Sequence, residues 1–275
     1  MKPTVLELRR KKGARLAMLT AYDFPSARLV AEAGIDLILV GDSLGMVVLG
    51  YGSTLPVTMD DMVHHTKATR RGAPEAFVVA DLPFLSYGTP EQALANVARL
   101  MKEAGADSVK LEGAVEIVPI IEALARAGVP VLGHVGLTPQ TASALGGYKL
   151  QGKDEENARR IMEGAQALER AGCWGVVLEL VPSPLARLVT ERIGIPTIGI
   201  GAGAHCDGQV LVFHDLVGLF SGFTPSFVKR YAEAGAAIKD AVARYAADVR
   251  NGSFPAEGQS FGMKDEVLKR VMESR

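Results

Sequence analysis

The chain has little of what usually marks a special environment. Its two cysteines, Cys173 and Cys206, stand far apart, which leaves no disulfide framework and no CxxC metal site. Lys and Arg number 30 against 31 Asp and Glu, a formal net charge of −1. So balanced a chain argues against nucleic-acid or membrane-surface partners. No apolar run approaches the ~20 residues needed to span a bilayer. The opening Met1-Lys2-Pro3-Thr4-Val5-Leu6-Glu7 lacks the apolar core of a signal peptide. A reducing cytoplasm is the expected location. No low-complexity tract, charge block or Pro/Gly/Ser-rich linker divides the 275 residues, so one large α/β domain is expected rather than two small ones. With 48% apolar and 22% charged residues, the composition is far from the disordered regime.

What is present is a set of short apolar runs that each end in a reactive or backbone-exposing residue. Ile35–Val40 runs into Gly41-Asp42-Ser43, and Ala76–Ala80 into Asp81. Ser108–Leu111 carries Lys110 and runs into Glu112, Val129–Gly133 into His134, and Val176–Leu178 into Glu179. Pro196–Ile200 runs into Gly201-Ala202-Gly203, and Leu16–Thr20 supplies a further strand at the start. Periodic helical segments separate most of them. Strands alternating with helices pair in parallel, because a parallel return needs a crossover. In closed parallel barrels the chemistry sits at the carboxyl ends of the strands.

The spacing predicts helices over Pro25–Ala33, from the N-cap Thr58, from Thr89-Pro90-Glu91 to Gly105, over Ile117–Ala127, from Asp154 to Ala171 and over Ser183–Ile193. Two loops are long, 42–56 and 134–153, and such loops tend to be functional. Gln209–Phe213 has strand composition but follows strand 7 too closely for a parallel crossover. Asp207 is therefore expected to cap a short helix through His214, with Leu216–Phe220 as strand 8 and Ser226–Val249 as a long helix. Eight strand–helix units give a single-domain (β/α)8 barrel over 1–260, with a C-terminal tail over 261–275.

Strand alternation puts Lys110 and Glu112 on one face. Barrel interiors are normally Val, Ile and Leu, so an inward lysine and glutamate must be paired, hydrated or ligand-bound. The alternative is an outward pair solvated at the rim, with Val109 and Leu111 filling the barrel. Asp42 and Asp81 end neighbouring strands, about 4.8 Å apart. Carboxylates converging there repel unless a proton or cation sits between them. Mg²⁺ typically takes one or two carboxylates plus waters and substrate, and no His-rich or Cys-rich spacing suggests zinc. Glu179 follows an entirely apolar run, which raises a carboxyl pKa and suits proton transfer; a salt bridge to an arginine is the alternative. His134 reads as a wall residue, with an acid/base role as the other reading. His64-His65 read as helix residues, one packed and one solvated. Gly199–Gly203 bares amides where many barrels bind phosphate, though glycines also let a loop pack closely. Phe220, Phe223 and Phe227 suit either an interface or the core.

The segments Thr20-Ala21-Tyr22-Asp23, Leu39–Met46 and Ser53–Thr58 resemble the ketopantoate hydroxymethyltransferase family. So do Arg70–Pro74, Ala80–Phe84, Val109–Gly113, Gly133–Gln140, Gly146–Lys149, Leu178-Glu179 and Gly199–Gly203 with Asp207-Gly208-Gln209. The match spans nearly the whole chain in order, apart from Ala204-His205-Cys206 and the stretch beyond about 260. The resemblance implies transfer of a hydroxymethyl group from 5,10-methylenetetrahydrofolate to 3-methyl-2-oxobutanoate (α-ketoisovalerate), giving 2-dehydropantoate in pantothenate and coenzyme A biosynthesis. It implies Mg²⁺ held by Asp42, Asp81 and Glu112, the last through water, and a Mg-stabilised enolate. It also implies substrate contacts from Asp42, Ser43, Asp81 and Lys110, with Glu179 as proton acceptor, and a homodecamer built as a pentamer of dimers. Two rivals stand beside it: a Mg²⁺-dependent lyase or aldolase acting on another 2-oxo acid, and a catalytically silent barrel.

Overall fold

Eight parallel strands close into a barrel in sequence order. They are β1 (Leu16–Thr20), β2 (Leu37–Val40), β3 (Phe77–Asp81), β4 (Ser108–Glu112), β5 (Val131–Gly136), β6 (Gly175–Glu179), β7 (Thr197–Ile200) and β8 (Gly208–Leu211). Strand β8 pairs with both β7 and β1. The computed structural model describes residues 2–274 apart from 145 and 221. Among the described residues no helix is long and apolar enough to cross a membrane.

The strands are buried on both faces, as parallel strands under a helical shell must be. Alternation sorts them into two cores. Leu37, Leu39, Phe77, Val79, Leu132, Val177 and Ile198 pack with Trp174 inside the barrel. Ile38, Val40, Val78, Ala80, Val109, Leu111, Val176 and Leu178 pack outward with helix residues such as Val63, Leu100 and Leu168. Val109 and Leu111 therefore face the helices, and Lys110 between them points into the barrel.

Helices Phe24–Glu32, Met59–Gly72, Pro90–Ala98, Val118–Arg126, Glu155–Ala171 and Ser183–Arg192 lie along the chain where the pattern predicts them. Their expected caps form: Thr58 exchanges hydrogen bonds with Asp61, Thr89 accepts from Gln92 N–H, and Asp154 accepts from Asn157 N–H.

The closing turn of the barrel differs from expectation. Strand 8 is Gly208–Leu211, overlapping the segment rejected as too close to β7, and Leu216–Phe220 is not a strand. The short connection suffices because β7 has only four residues and Gly208 pairs with its second, Ile198, so residues 201–207 descend only about two residue rises of ~3.3 Å. Asp207 caps no helix; its carboxylate accepts from Thr197 N–H at 2.8 Å and Gly13 N–H at 2.8 Å and pairs with Lys12 at 2.9 Å. The short helix is Phe213–Leu216, and Gly218 at φ 65° turns the chain beyond it.

The long helix begins at Ala234 and ends at Asn251, not at Ser226 and Val249. The N–H groups of Tyr231, Ala234 and Gly235 donate to the carbonyls of Leu216, Val217 and Gly218, which holds the preceding stretch as a strap across the barrel mouth. This helix and a final one, Asp265–Glu273, bury none of their residues.

Candidate active site

Strands β3, β5 and β6 each point an apolar side chain inward and, two residues on, a polar one. Val79 is followed two residues on by Asp81, Leu132 by His134 and Val177 by Glu179, while β4 offers Lys110 and then Glu112. All five line one cavity of about 510 Å³, together with Asp42 and Ser43 just beyond β2. The sequence-predicted site residues are thus brought together in one place. Gly41 makes the approach possible: a Cβ there would stand 3.0 Å from Ser43 Oγ and 3.4 Å from Asp81 Oδ2.

Lys110 is 4% exposed. Its Nζ lies 3.2 Å from Asp81 Oδ2, 3.2 Å from His134 Nδ1 and 3.8 Å from Glu112 Oε1. Burial alone would lower its pKa, but Asp81, Glu112 and Asp42 outweigh burial and raise it, so it stays an ammonium. An ammonium can only donate, so His134 Nδ1 accepts and the ring proton sits on Nε2. That nitrogen lies 3.3 Å from Glu179 Oε2 and, buried, has no partner of hydrogen-bond geometry. Burial, and then Lys110, hold the His134 pKa well below its ordinary value. With its acceptor nitrogen occupied by Lys110, His134 suits the wall role.

Four carboxylates face this single lysine. Burial raises Asp42 and Glu112, and pushes Asp81 and Glu179 up to about 7, each against the pull of Lys110. Asp42 N–H donates to Asp81 Oδ2 at 3.1 Å, while Asp81 Oδ1 is buried without a partner. An orphaned carboxylate oxygen inside so acidic a pocket is the chemistry a cation or a proton-bearing ligand satisfies. Among the described residues no three His, Cys, Asp or Glu side chains form a ready metal cage. Mg²⁺ does not require one, since two carboxylates, waters and ligand oxygens complete its shell. Glu112 is already engaged, accepting from Gln140 N–H at 3.0 Å and lying 3.6 Å from His134 Nδ1.

Ser43 Oγ and Tyr22 Oη share a hydrogen bond of 2.7 Å. Just past Glu179, Leu180 holds φ 45°, a strained conformation of the kind that clusters at functional sites. Gly199–Gly203 is close-packed: Cβ atoms at Gly201 and Gly203 would stand 2.9 Å from Phe227 and 2.3 Å from Ser183. Close packing accounts for glycine at these two positions. Phe220, Phe223 and Phe227 line the cavity mouth with Met46 and Tyr148. His65 Nδ1 meets Tyr22 O at 2.6 Å while His64 is exposed, so both are structural helix residues.

The residue that sequence reasoning missed is Gln140, which bonds Asp42 and Glu112 from behind the wall. Its place after Thr138-Pro139, at the start of the long loop beyond β5, was the available signal.

A family model described as ketopantoate hydroxymethyltransferase matches residues 2–257. A 3-methyl-2-oxobutanoate hydroxymethyltransferase of Thermus thermophilus is 64% identical over 261 residues, covering 95% of this chain and 100% of that one. One of Deinococcus radiodurans is 57% identical, covering 94% and 92%. Among solved structures, 2,3-dimethylmalate lyase, a PEP mutase/isocitrate lyase superfamily member, aligns at TM-score 0.59 and 17% identity, covering 98% and 99%. A phosphonopyruvate hydrolase complex with oxalate and Mg²⁺ aligns at 0.60 and 15%, covering 98% of each chain. These two likenesses are of fold.

Proposed function

The chain belongs to the ketopantoate hydroxymethyltransferase family, and from that premise we propose that it transfers a hydroxymethyl group from 5,10-methylenetetrahydrofolate to 3-methyl-2-oxobutanoate, giving 2-dehydropantoate. The observation that carries the reading is the convergence of Asp42, Asp81, Lys110, Glu112 and Glu179 on one cavity.

Lys110 anchors the keto-acid carboxylate. Asp81 and His134 take up two of its three N–H donors, while Glu112 Oε1 at 3.8 Å is beyond hydrogen-bond reach, which leaves the third for the substrate. Mg²⁺ held by Asp42 and Asp81, with Glu112 acting through water, would supply Lewis-acid stabilisation of the negative charge that develops on the keto acid. Ser43 Oγ, held by Tyr22, lies on the cavity wall within the same cluster. Glu179 takes the proton from C3 of the substrate. Its raised pKa matches a base that works near neutrality. The resulting enolate carbon attacks the folate-borne one-carbon unit, which enters through the apolar mouth; a carbon–carbon bond forms, water supplies the hydroxyl oxygen, and the carbon–nitrogen bonds to folate break to release tetrahydrofolate. The reading extends to a cytoplasmic homodecamer.

The test is turnover of 3-methyl-2-oxobutanoate with methylenetetrahydrofolate, with and without Mg²⁺. Product formed only when both are present supports the reading. Turnover of another 2-oxo acid without folate would assign a lyase or aldolase instead.

A further inference from the structure

Gln140 is 2% exposed and stands behind the cavity wall rather than in it. Both N–H donors of its side-chain amide and its carbonyl oxygen are engaged. Nε2 donates to Asp42 Oδ2 at 2.8 Å and to Leu82 O at 2.9 Å. Oε1 accepts from Tyr87 Oη at 2.5 Å, and the same hydroxyl lies 3.2 Å from Glu112 O. The backbone N–H of Gln140 donates to Glu112 Oε2 at 3.0 Å.

The orientation of the amide follows from its partners. Leu82 O is a carbonyl and can only accept, and Asp42 offers a carboxylate oxygen, so the nitrogen must face both. Turned over, the amide oxygen would confront two acceptors. Leu82 directly follows Asp81, so the carbonyl that fixes the amide is attached to the end of β3. One residue from the loop after β5 thereby ties together groups at the ends of β2, β3 and β4.

We propose that Gln140 is a positioning residue that sets the separation of Asp42 and Glu112, fixing one through its amide and the other through its backbone N–H. The inference rests on the reading above, in which Asp42 carries the cation. With one oxygen of Asp42 held by Gln140, the other is presented to the cavity in a fixed direction. Loss of the amide leaves Asp42 free to turn, and cation and keto-acid binding weaken together.

The test compares wild type with Gln140→Met, a substitution of similar volume that removes the amide. Binding of Mn²⁺ is followed by the electron paramagnetic resonance signal of the free ion, and the KM for the keto acid is measured separately from kcat. Loss of a hydrogen-bond partner behind a metal ligand typically costs about 10–100-fold in affinity or activity. That loss in Mn²⁺ affinity, with a raised KM in a folded variant, is the expected result. Wild-type Mn²⁺ affinity and KM in folded Gln140→Met would overturn the clamp alone. A wild-type protein that binds no Mn²⁺ would overturn the metal reading and the clamp with it. Should Gln140→Met fail to fold, Tyr87→Phe carries the test, because it strips the partner from Oε1 and leaves the amide less firmly held. A several-fold loss of Mn²⁺ affinity is expected there, and no loss overturns the proposal.

Discussion

The lower and upper halves of the barrel interior are built from the same strands and share no chemistry. Below, Leu16, Met18, Leu37, Phe77 and Val210 close around Trp174, whose indole N–H donates to Ser108 Oγ at 2.8 Å and whose ring meets Phe77 edge-on. Above, the next inward positions after Val79, Leu132 and Val177 are Asp81, His134 and Glu179, and Lys110 joins them from β4. A step of two residues, about 6.6 Å along a strand, separates hydrocarbon from a cluster of charge. The lower layer supplies burial and fixes the strands. The upper layer carries carboxylates whose burial disfavours ionisation and which the fold holds in place because the layer beneath is close-packed. Stability and chemistry are therefore assigned to different heights in one barrel.

Substitutions at the two heights should separate these roles. The largest effect on turnover is expected from Asp42→Asn or Asp81→Asn, which remove an anionic ligand and with it several kcal/mol of charge stabilisation. Either variant should fold, by circular dichroism, and show no measurable product. Full activity in either, or in wild type with excess chelator, would sink the metal assignment. Next comes Lys110→Ala. It should raise the KM for the keto acid strongly and lower kcat less, through mispositioning. A change within about twofold, the size usual for a surface residue, would mean that Lys110 does not touch the substrate. The smallest effect on chemistry is expected from Trp174→Ala in the lower layer. Urea unfolding should show a loss of about 3–5 kcal/mol, while kcat and KM, measured where the variant is folded, stay within about twofold. A large loss of kcat there would break the division between the layers.

Much of the upper layer was legible because it is written in strand periodicity. Lys110 and Glu112 two apart, and single acids closing apolar runs, have no comfortable place except the mouth of a barrel. The closure at β8 was not legible, because the usual crossover length assumes a longer strand to return along, and neither the shortness of β7 nor the register in which Gly208 meets Ile198 leaves a mark on the sequence. The strap over 222–233 was hidden for a similar reason. Its composition permits a helix, but the Leu216 carbonyl claims the N–H of Tyr231, and the carbonyls of Val217 and Gly218 take the first N–H groups of the helix, at Ala234 and Gly235, fixing its start there. Gln140 escaped because its partners Asp42 and Glu112 are 98 and 28 positions away, and a lone glutamine carries no spacing signal.

The central claim is that the upper layer removes the C3 proton of the keto acid before any one-carbon unit arrives, with Glu179 as the base. It is tested most directly by exchange of that hydrogen with solvent deuterium in the presence of 3-methyl-2-oxobutanoate and Mg²⁺, without folate. Burial pushes the Glu179 carboxyl up to about 7, so exchange by wild type should rise with pH and level off above that value as the carboxylate forms. Glu179→Gln should suppress exchange and overall turnover together by about 10²–10⁴-fold. If Glu179→Gln exchanges at the wild-type rate yet forms no 2-dehydropantoate, Glu179 acts on the one-carbon donor and the account is contradicted.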